Sequence, residues 1–310
     1  MKKLLLLLMS MTILTSCQTA KSAAENDKEF KISIVQLTQH EALDKTREGF
    51  EEGLEENGIK AKIDYQNLGG DTSLANQTLD SIDKDTDLVY VIATPVAQAA
   101  ASKIKDIPIL FNAVTDPVDA GLVKDENKPE ANITGVSDKT DIAKQLDYFL
   151  EKFPDIKTIG VLFSTNEANS KSSIDALQKA CDAKGIKLVT KGINNINDVD
   201  TAMKSLTKDI DGFFAITDNV VASSASIISK ILIEKKIPSF AAEAGPVEEG
   251  MLFTDGVDYE DLGEKAAEQA KKIFDGEKIE NIPVFFSKDY EETVNDETLE
   301  KLGLDKNLFD

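Results

Sequence analysis

The chain contains no tryptophan, one histidine and two cysteines. With His40 alone, neither a histidine zinc cage nor a histidine cluster can be built, and no metal or cofactor is expected. With only Cys17 and Cys181 there is no disulfide framework. Cys181 lies in an amphipathic helical pattern and reads as a small buried hydrophobe. Basic residues are also outnumbered: 35 lysines and arginines face 56 acids, a formal charge of −21. Such a surface repels nucleic acid and anionic headgroups. The acids are spread over helix faces (Glu48, Glu51, Glu52, Glu55), so the charge reads as a solvated surface rather than a binding site. No Gly-x-Ser-x-Gly elbow occurs and Gly69-Gly70-Asp71 is no phosphate loop, so an enzyme is not expected. Only a glycosidase-type pair of carboxylates stays open, because acids occur throughout.

The N-terminus carries Lys2 and Lys3, then an apolar stretch from Leu4 to Leu14. It is shorter than the roughly 20 residues of a membrane-spanning helix. It fits a secretory signal peptide over residues 1–16. Leu14-Thr15-Ser16-Cys17 looks like a bacterial lipobox, in which Cys17 is acylated and becomes the first mature residue. An ordinary signal peptide with an incidental cysteine is the alternative. Two acyl chains would anchor the protein stably to the outer face of the cytoplasmic membrane. Residues 17–30 are polar and read as a flexible tether. Cleavage would remove two lysines and no acid, deepening the charge from −21 to −23.

The body alternates short apolar β-rich runs with amphipathic helical runs, the pattern of βαβ units and a parallel sheet. Strands are expected at Lys31–Leu37, Ala61–Tyr65, Leu88–Ala93 and Ile109–Asn112, with helices at Ala42–Asn57, Leu74–Ile82 and Val96–Ile104. The order then returns, with a strand at Thr158–Phe163 and a helix at Ser172–Lys184. Gly185-Ile186-Lys187 repeats Gly58-Ile59-Lys60, and Ile237-Pro238 repeats Ile107-Pro108. Repetition at this length predicts an α/β protein of two similar, doubly wound parallel-sheet lobes. The expected N-terminal lobe is 31–136 plus about 256–282, and the C-terminal lobe 137–255 plus about 283–310. Gly135–Asp138, Thr254–Val257 and Pro283–Phe286 are the expected hinge segments.

Ligands of open parallel sheets bind beyond the carboxyl ends of the strands. The residues there are Thr38, Gln39 and His40; Thr94, Pro95 and Ala97; Asp116; and Asp138. In the second half they are Glu167, Asn169 and Ser170, Asp218 and Asn219, and Glu243. The turn at Thr94–Ala97 opens a helix, where free N–H groups suit a carboxylate. Asp116, Glu167, Asp218 and Glu243 suit an ammonium. Together they describe an α-amino acid site. Individually, Thr94 and Ser170 also read as helix caps, Asp116-Pro117 as a turn, and His40 as a loop residue facing solvent.

Several of these segments resemble ABC-transporter substrate-binding lipoproteins of the tryptophan-binding, aromatic amino acid type. They are Val35–Asp44, Ala93–Gln98, Thr115–Val123, Thr134–Asp138, Asn166–Ser170 and Thr217–Asn219. The likeness runs from about Lys31 to the C-terminus. It implies a type I periplasmic-binding-protein-like fold, with a multi-crossover hinge and two lobes that close over an amino acid and present it to an ABC permease. A monomer suits that closure. Phe111, Phe163 and Phe240 are candidates to meet an aromatic ligand or plain core residues. A sugar- or nucleoside-binding protein of the same fold, or a solute-sensing lipoprotein, are the alternatives.

Overall fold

The computed structural model describes residues 28–309. The expectations for the signal peptide, for Cys17 and for most of the tether therefore lie outside the described residues. Two six-stranded sheets form the framework. The first contains β1 (Phe30–Gln36), β2 (Ala61–Asn67), β3 (Leu88–Ile92), β4 (Ile109–Asn112), β5 (Ile133–Ser137) and, from far along the chain, β11 (Phe285–Phe286). Their order is β11-β5-β4-β3-β1-β2 and every pairing is parallel. The second contains β6 (Thr158–Ser164), β7 (Lys187–Ile193), β8 (Gly212–Ala215), β9 (Ser239–Ala241), β10 (Phe253–Gly256) and β12 (Glu291–Val294). Its order, β12-β10-β9-β8-β6-β7, repeats the first.

The central strands are fully apolar because helices cover both faces of a parallel sheet. Leu88, Val89, Tyr90, Val91 and Ile92 are all completely buried. In the first lobe the helices are α1 (Glu41–Glu56), α2 (Ala75–Asp80) and α3 (Thr94–Lys103). In the second they are α4 (Ile142–Lys152), α5 (Ala168–Lys184), α6 (Val199–Leu206), α7 (Asn219–Ala222), α8 (Ala225–Lys235) and α9 (Gly245–Glu248). Then α10 (Tyr259–Phe274) returns to the first lobe, and α11 (Asp296–Leu302) completes the second. Cys181 is buried in the second lobe's core, as a small hydrophobe would be.

The return of α10 depends on two glycines that remove side chains from its contact with α1. A Cβ on Gly49 would lie 2.2 Å from the Glu260 carbonyl oxygen, and one on Gly263 would lie 2.5 Å from that of Thr46. Alanine at Gly49 therefore forces the helices apart, although alanine is the better helix former by about 1 kcal/mol. Gly49→Ala is expected to lower unfolding free energy by about 2 kcal/mol, read as a lower urea midpoint.

Three departures from the expected layout have simple causes. The segment Gly135–Asp138, expected as hinge, is mostly the end of strand β5, which is too short and mixed in character to stand out. The chain leaves the first lobe after Phe286 rather than near 283, because Phe285 and Phe286 pair with Val136 and Ser137. Strand β12 runs antiparallel to β10. It enters its sheet from the crossover, at the edge where β10 ends, so it can only run back. Three crossovers thus link the lobes: β5 to α4, β10 to α10, and β11 to β12.

Candidate functional site

In each sheet the chain order reverses beside the first strand: β1 lies between β2 and β3, and β6 between β7 and β8. Loops leaving neighbouring strands there turn to opposite faces and open a crevice. Thr38–His40 and Thr94 lie at the first reversal, and Glu167–Ser170 with Asp218–Asn219 at the second.

The turn from β3 into α3 is strained. Ala93 adopts φ 86° and ψ 149°, a region nearly reserved for glycine, and Ala113 after β4 has φ 52°. The Ala97 N–H donates to the Ala93 carbonyl at 3.1 Å and Pro95 has no N–H, so Thr94 and Val96 supply the free amides of this helix start. The Thr94 hydroxyl is buried and has no hydrogen-bond partner among the described residues.

Four carboxyl groups converge on the crevice, Asp138 from the end of β5 and the other three from strand ends of the second lobe. Asp138, Glu167, Asp218 and Glu243 are 2%, 7%, 1% and 3% exposed. Asn169 Nδ2 at 3.1 Å, Asn219 Nδ2 at 2.5 Å and the Asn219 N–H at 3.3 Å all donate to Glu167 Oε2. The Tyr259 hydroxyl donates to Asp138 Oδ2 at 2.9 Å and lies beside Glu243. Asp138 Oδ1 and Asn169 Oδ1 are buried acceptors with no donor among the described residues. Among the described residues, no lysine or arginine pairs with any of the four acids. Burial, reinforced by Asp138, pushes the Glu243 carboxyl up to about 8. Burial and the neighbouring Asp218 push Glu167 up to about 7. Such a cluster binds protons when empty of other cations and favours a cation that can donate several hydrogen bonds.

Several expected ligand contacts are already engaged within the protein. Ser164 N–H and Ser170 Oγ donate to Asp218 Oδ2, both at 2.6 Å, while the N–H groups of Val220 and Val221 donate to Oδ1 at 3.0 Å. Asp218 and Ser170 therefore hold the site's walls in place rather than offering free groups. Asp116 accepts from Lys139 Nζ at 2.7 Å and from the Asp119 N–H at 3.0 Å, so it organises a turn. Ala97 belongs to the first lobe's core, Pro95 is half-buried and Gln39 is exposed. Phe111 and Phe240 are completely buried among core residues, and Phe163 packs on the second lobe's core. Tyr259, which the sequence pattern does not single out, joins Asp138 and Glu243. Its only sequence signal is its place just beyond the hinge segment Thr254–Val257.

The lobes meet across the crevice. His40 Nε2 donates to Asn219 Oδ1 at 3.2 Å, and Asn219 in turn donates to Glu167, so one polar chain links the lobes. Burial lowers the His40 pKa, although its bond to Asn219 opposes this. Ser172 Oγ donates to Asp119 Oδ2 at 2.9 Å, and Lys45 Nζ to Glu248 Oε1 at 3.0 Å.

Comparison with known proteins agrees with this geometry. A protein of Clostridioides difficile (strain R20291) named "Tyrosine-binding protein" is 40% identical, over 98% of this chain and 93% of that one. A solved Streptococcus pneumonia structure, an ABC domain in complex with L-Trp, is 31% identical. It covers 91% of this chain and 97% of its own, with a TM-score of 0.85. A ligand-free, open structure of a substrate-binding protein from Clostridium difficile is 46% identical, over 89% of this chain and 96% of its own. It superposes with a TM-score of only 0.69. The lower score at the higher identity places these lobes nearer the ligand-bound arrangement than the open one. The sequence matches the family described as "ABC transporter substrate binding protein" over residues 31–307. By fold, crevice and sequence, the chain belongs to the ABC transporter substrate-binding protein family.

Proposed function

We propose that this protein captures a free aromatic α-amino acid, tyrosine or tryptophan, between its lobes and delivers it to a membrane permease for import. The observation that carries this reading is the set of four buried acids that, among the described residues, have no basic partner and include or adjoin two acceptor atoms without donors. An α-ammonium supplies both the charge and the missing hydrogens. The free amides and hydroxyl at the start of α3 suit the α-carboxylate. The ligands named for the two relatives, tyrosine and L-Trp, support an aromatic side chain. Closure of the lobes around the ligand presents one compact form to the permease. An acylated Cys17 would keep the protein beside it at the outer membrane face.

The test is a thermal-shift screen of the chain from residue 17, with Cys17→Ser, against amino acids, sugars and nucleosides. Ligand at a hundredfold excess over Kd stabilises the native state by about 2.7 kcal/mol. Stabilisation by L-tyrosine or L-tryptophan is expected, and a response to sugars alone would refute the amino-acid site. Thr94→Val removes the unpartnered hydroxyl and keeps the shape. It is expected to weaken binding of these amino acids about tenfold by titration calorimetry, the loss of one hydrogen bond to a charged group.

A further inference from the structure

Outside the ligand site the lobes touch where α3 meets α5 and where α9 meets the first turn of α1. Gly245 begins α9, and its missing side chain lets that backbone approach α1. A Cβ there would lie 3.1 Å from Glu41 Cβ and 3.5 Å from the Ala42 nitrogen. One turn along each helix, Lys45 Nζ bridges Glu41 Oε1 at 2.9 Å on its own helix and Glu248 Oε1 at 3.0 Å on α9. Partial burial opposes the charge, yet the two carboxylates hold the Lys45 ammonium above its ordinary range. The rest of this seam is open. A cavity of about 180 Å³ lies between the lobes, lined by Gln39, His40 and Glu41 on one side and by Ser226, Pro246 and Glu249 on the other. Closure on this side therefore rests on few contacts, and none of them belongs to the acid cluster.

We propose that the seam of α1 and α9, with Gly245 at its centre and Lys45–Glu248 beside it, is a latch that holds the lobes closed and sets how long ligand is retained. Gly245 is the positioning residue: it touches no ligand group, a Cβ there would press on Glu41 by a few tenths of an ångström, and a larger branched side chain would press further into the seam. The cross-lobe ion pair is exposed and contributes modestly, while the glycine contact sets how closely α9 seats on α1. The affinity arm of the test rests on the amino-acid reading, whereas the distance arm does not.

In the test, spin labels are placed at Glu52→Cys on α1 and Lys230→Cys on α8, both exposed, in the chain from residue 17 with Cys17→Ser. Interlobe distances are measured with and without L-tyrosine, L-tryptophan or both. Gly245→Val is expected to shift the distribution to longer distances and to raise the ligand's dissociation rate about tenfold, with the association rate little changed. Lys45→Ala and Glu248→Ala are expected to weaken retention about threefold each, and the double variant no more than either alone. These surface variants decide the matter if Gly245→Val does not fold. Distances and dissociation rates like those of the unsubstituted protein in all variants would overturn the latch. If neither amino acid binds, the amino-acid reading fails, and the ligand-free distances still decide: an unchanged distribution, including one with no closed fraction, overturns the latch.

Discussion

Lowering the pH from 8 to 5 is expected to stabilise the ligand-free protein while weakening its hold on an amino acid. Both effects come from Glu243 and Glu167. Their folded pKa values, about 8 and about 7, lie above the ordinary value of 4.5. Between pH 4.5 and 8 the native state therefore holds more protons than the unfolded chain, so stability falls as pH rises through that window. The change should be several kcal/mol between pH 5 and pH 8, about 1.4 kcal/mol for each group per pH unit below its folded pKa, since burial strains the charged forms and protonation relieves it. Relief of the overall negative charge acts in the same direction. Glu243→Gln separates the two, because it removes the larger of the two buried titrations and leaves the surface charge almost intact. Its stability profile should be flatter. Ligand affinity runs the other way. An ammonium is attracted by ionised carboxylates, so at pH 5 binding must first displace protons. Affinity for L-tyrosine or L-tryptophan should drop about tenfold or more over these three pH units. Calorimetry in buffers of different ionisation enthalpy would show the protons released. Affinity that is level across this range would mean that the cluster does not meet the ligand's ammonium.

Glu167→Gln should weaken binding of the same amino acids about a hundredfold, the scale seen when one partner of a buried charge pair is removed. The shape is kept, and the amide oxygen can still accept from Asn219 and Asn169, which bond to Glu167 Oε2 in the native protein. The unfolding midpoint at pH 8 should therefore stay level or rise, because a buried charge without a counter-ion has been removed. Asp116→Asn is the contrasting variant. Its place after a strand points Asp116 toward the ligand, but its oxygens serve Lys139 and the Asp119 amide at a turn. Its substitution should leave affinity within about twofold, because both of its oxygens are engaged at that turn rather than with the ligand. A large loss for Asp116→Asn together with a small one for Glu167→Gln would reverse the roles of these two acids.

The periodic features of the sequence map closely onto the fold. Ile109–Asn112 is a strand with the expected bounds, and Thr158–Phe163 ends one residue short of β6. Apolar runs and helical stripes reflect one-dimensional periodicity, which side-chain burial imposes directly on sequence. The strand-end loops were legible for the same reason, since polar residues follow each apolar run. What each polar residue does there was not legible. Asp218 and Glu243 are both acids at the ends of second-lobe strands. Yet Asp218 accepts four hydrogen bonds from its own lobe, whereas Glu243 lies by Tyr259, which comes from the other lobe's α10. Nothing within a few residues of either acid distinguishes them.

Composition, hydrophobic period and the internal repeat by themselves determined that this chain forms two parallel-sheet lobes with polar loops at the strand ends. Those properties are local, because burial acts on each helix and strand through its own pattern. Tertiary structure alone decided which acids stay free, where Tyr259 lands, and that Gly245 lets the lobes touch. Each of these depends on groups far apart in the chain arriving within hydrogen-bonding or van der Waals distance. The desolvation that raises Glu167 and Glu243 exists only once both lobes exclude water from the same small volume.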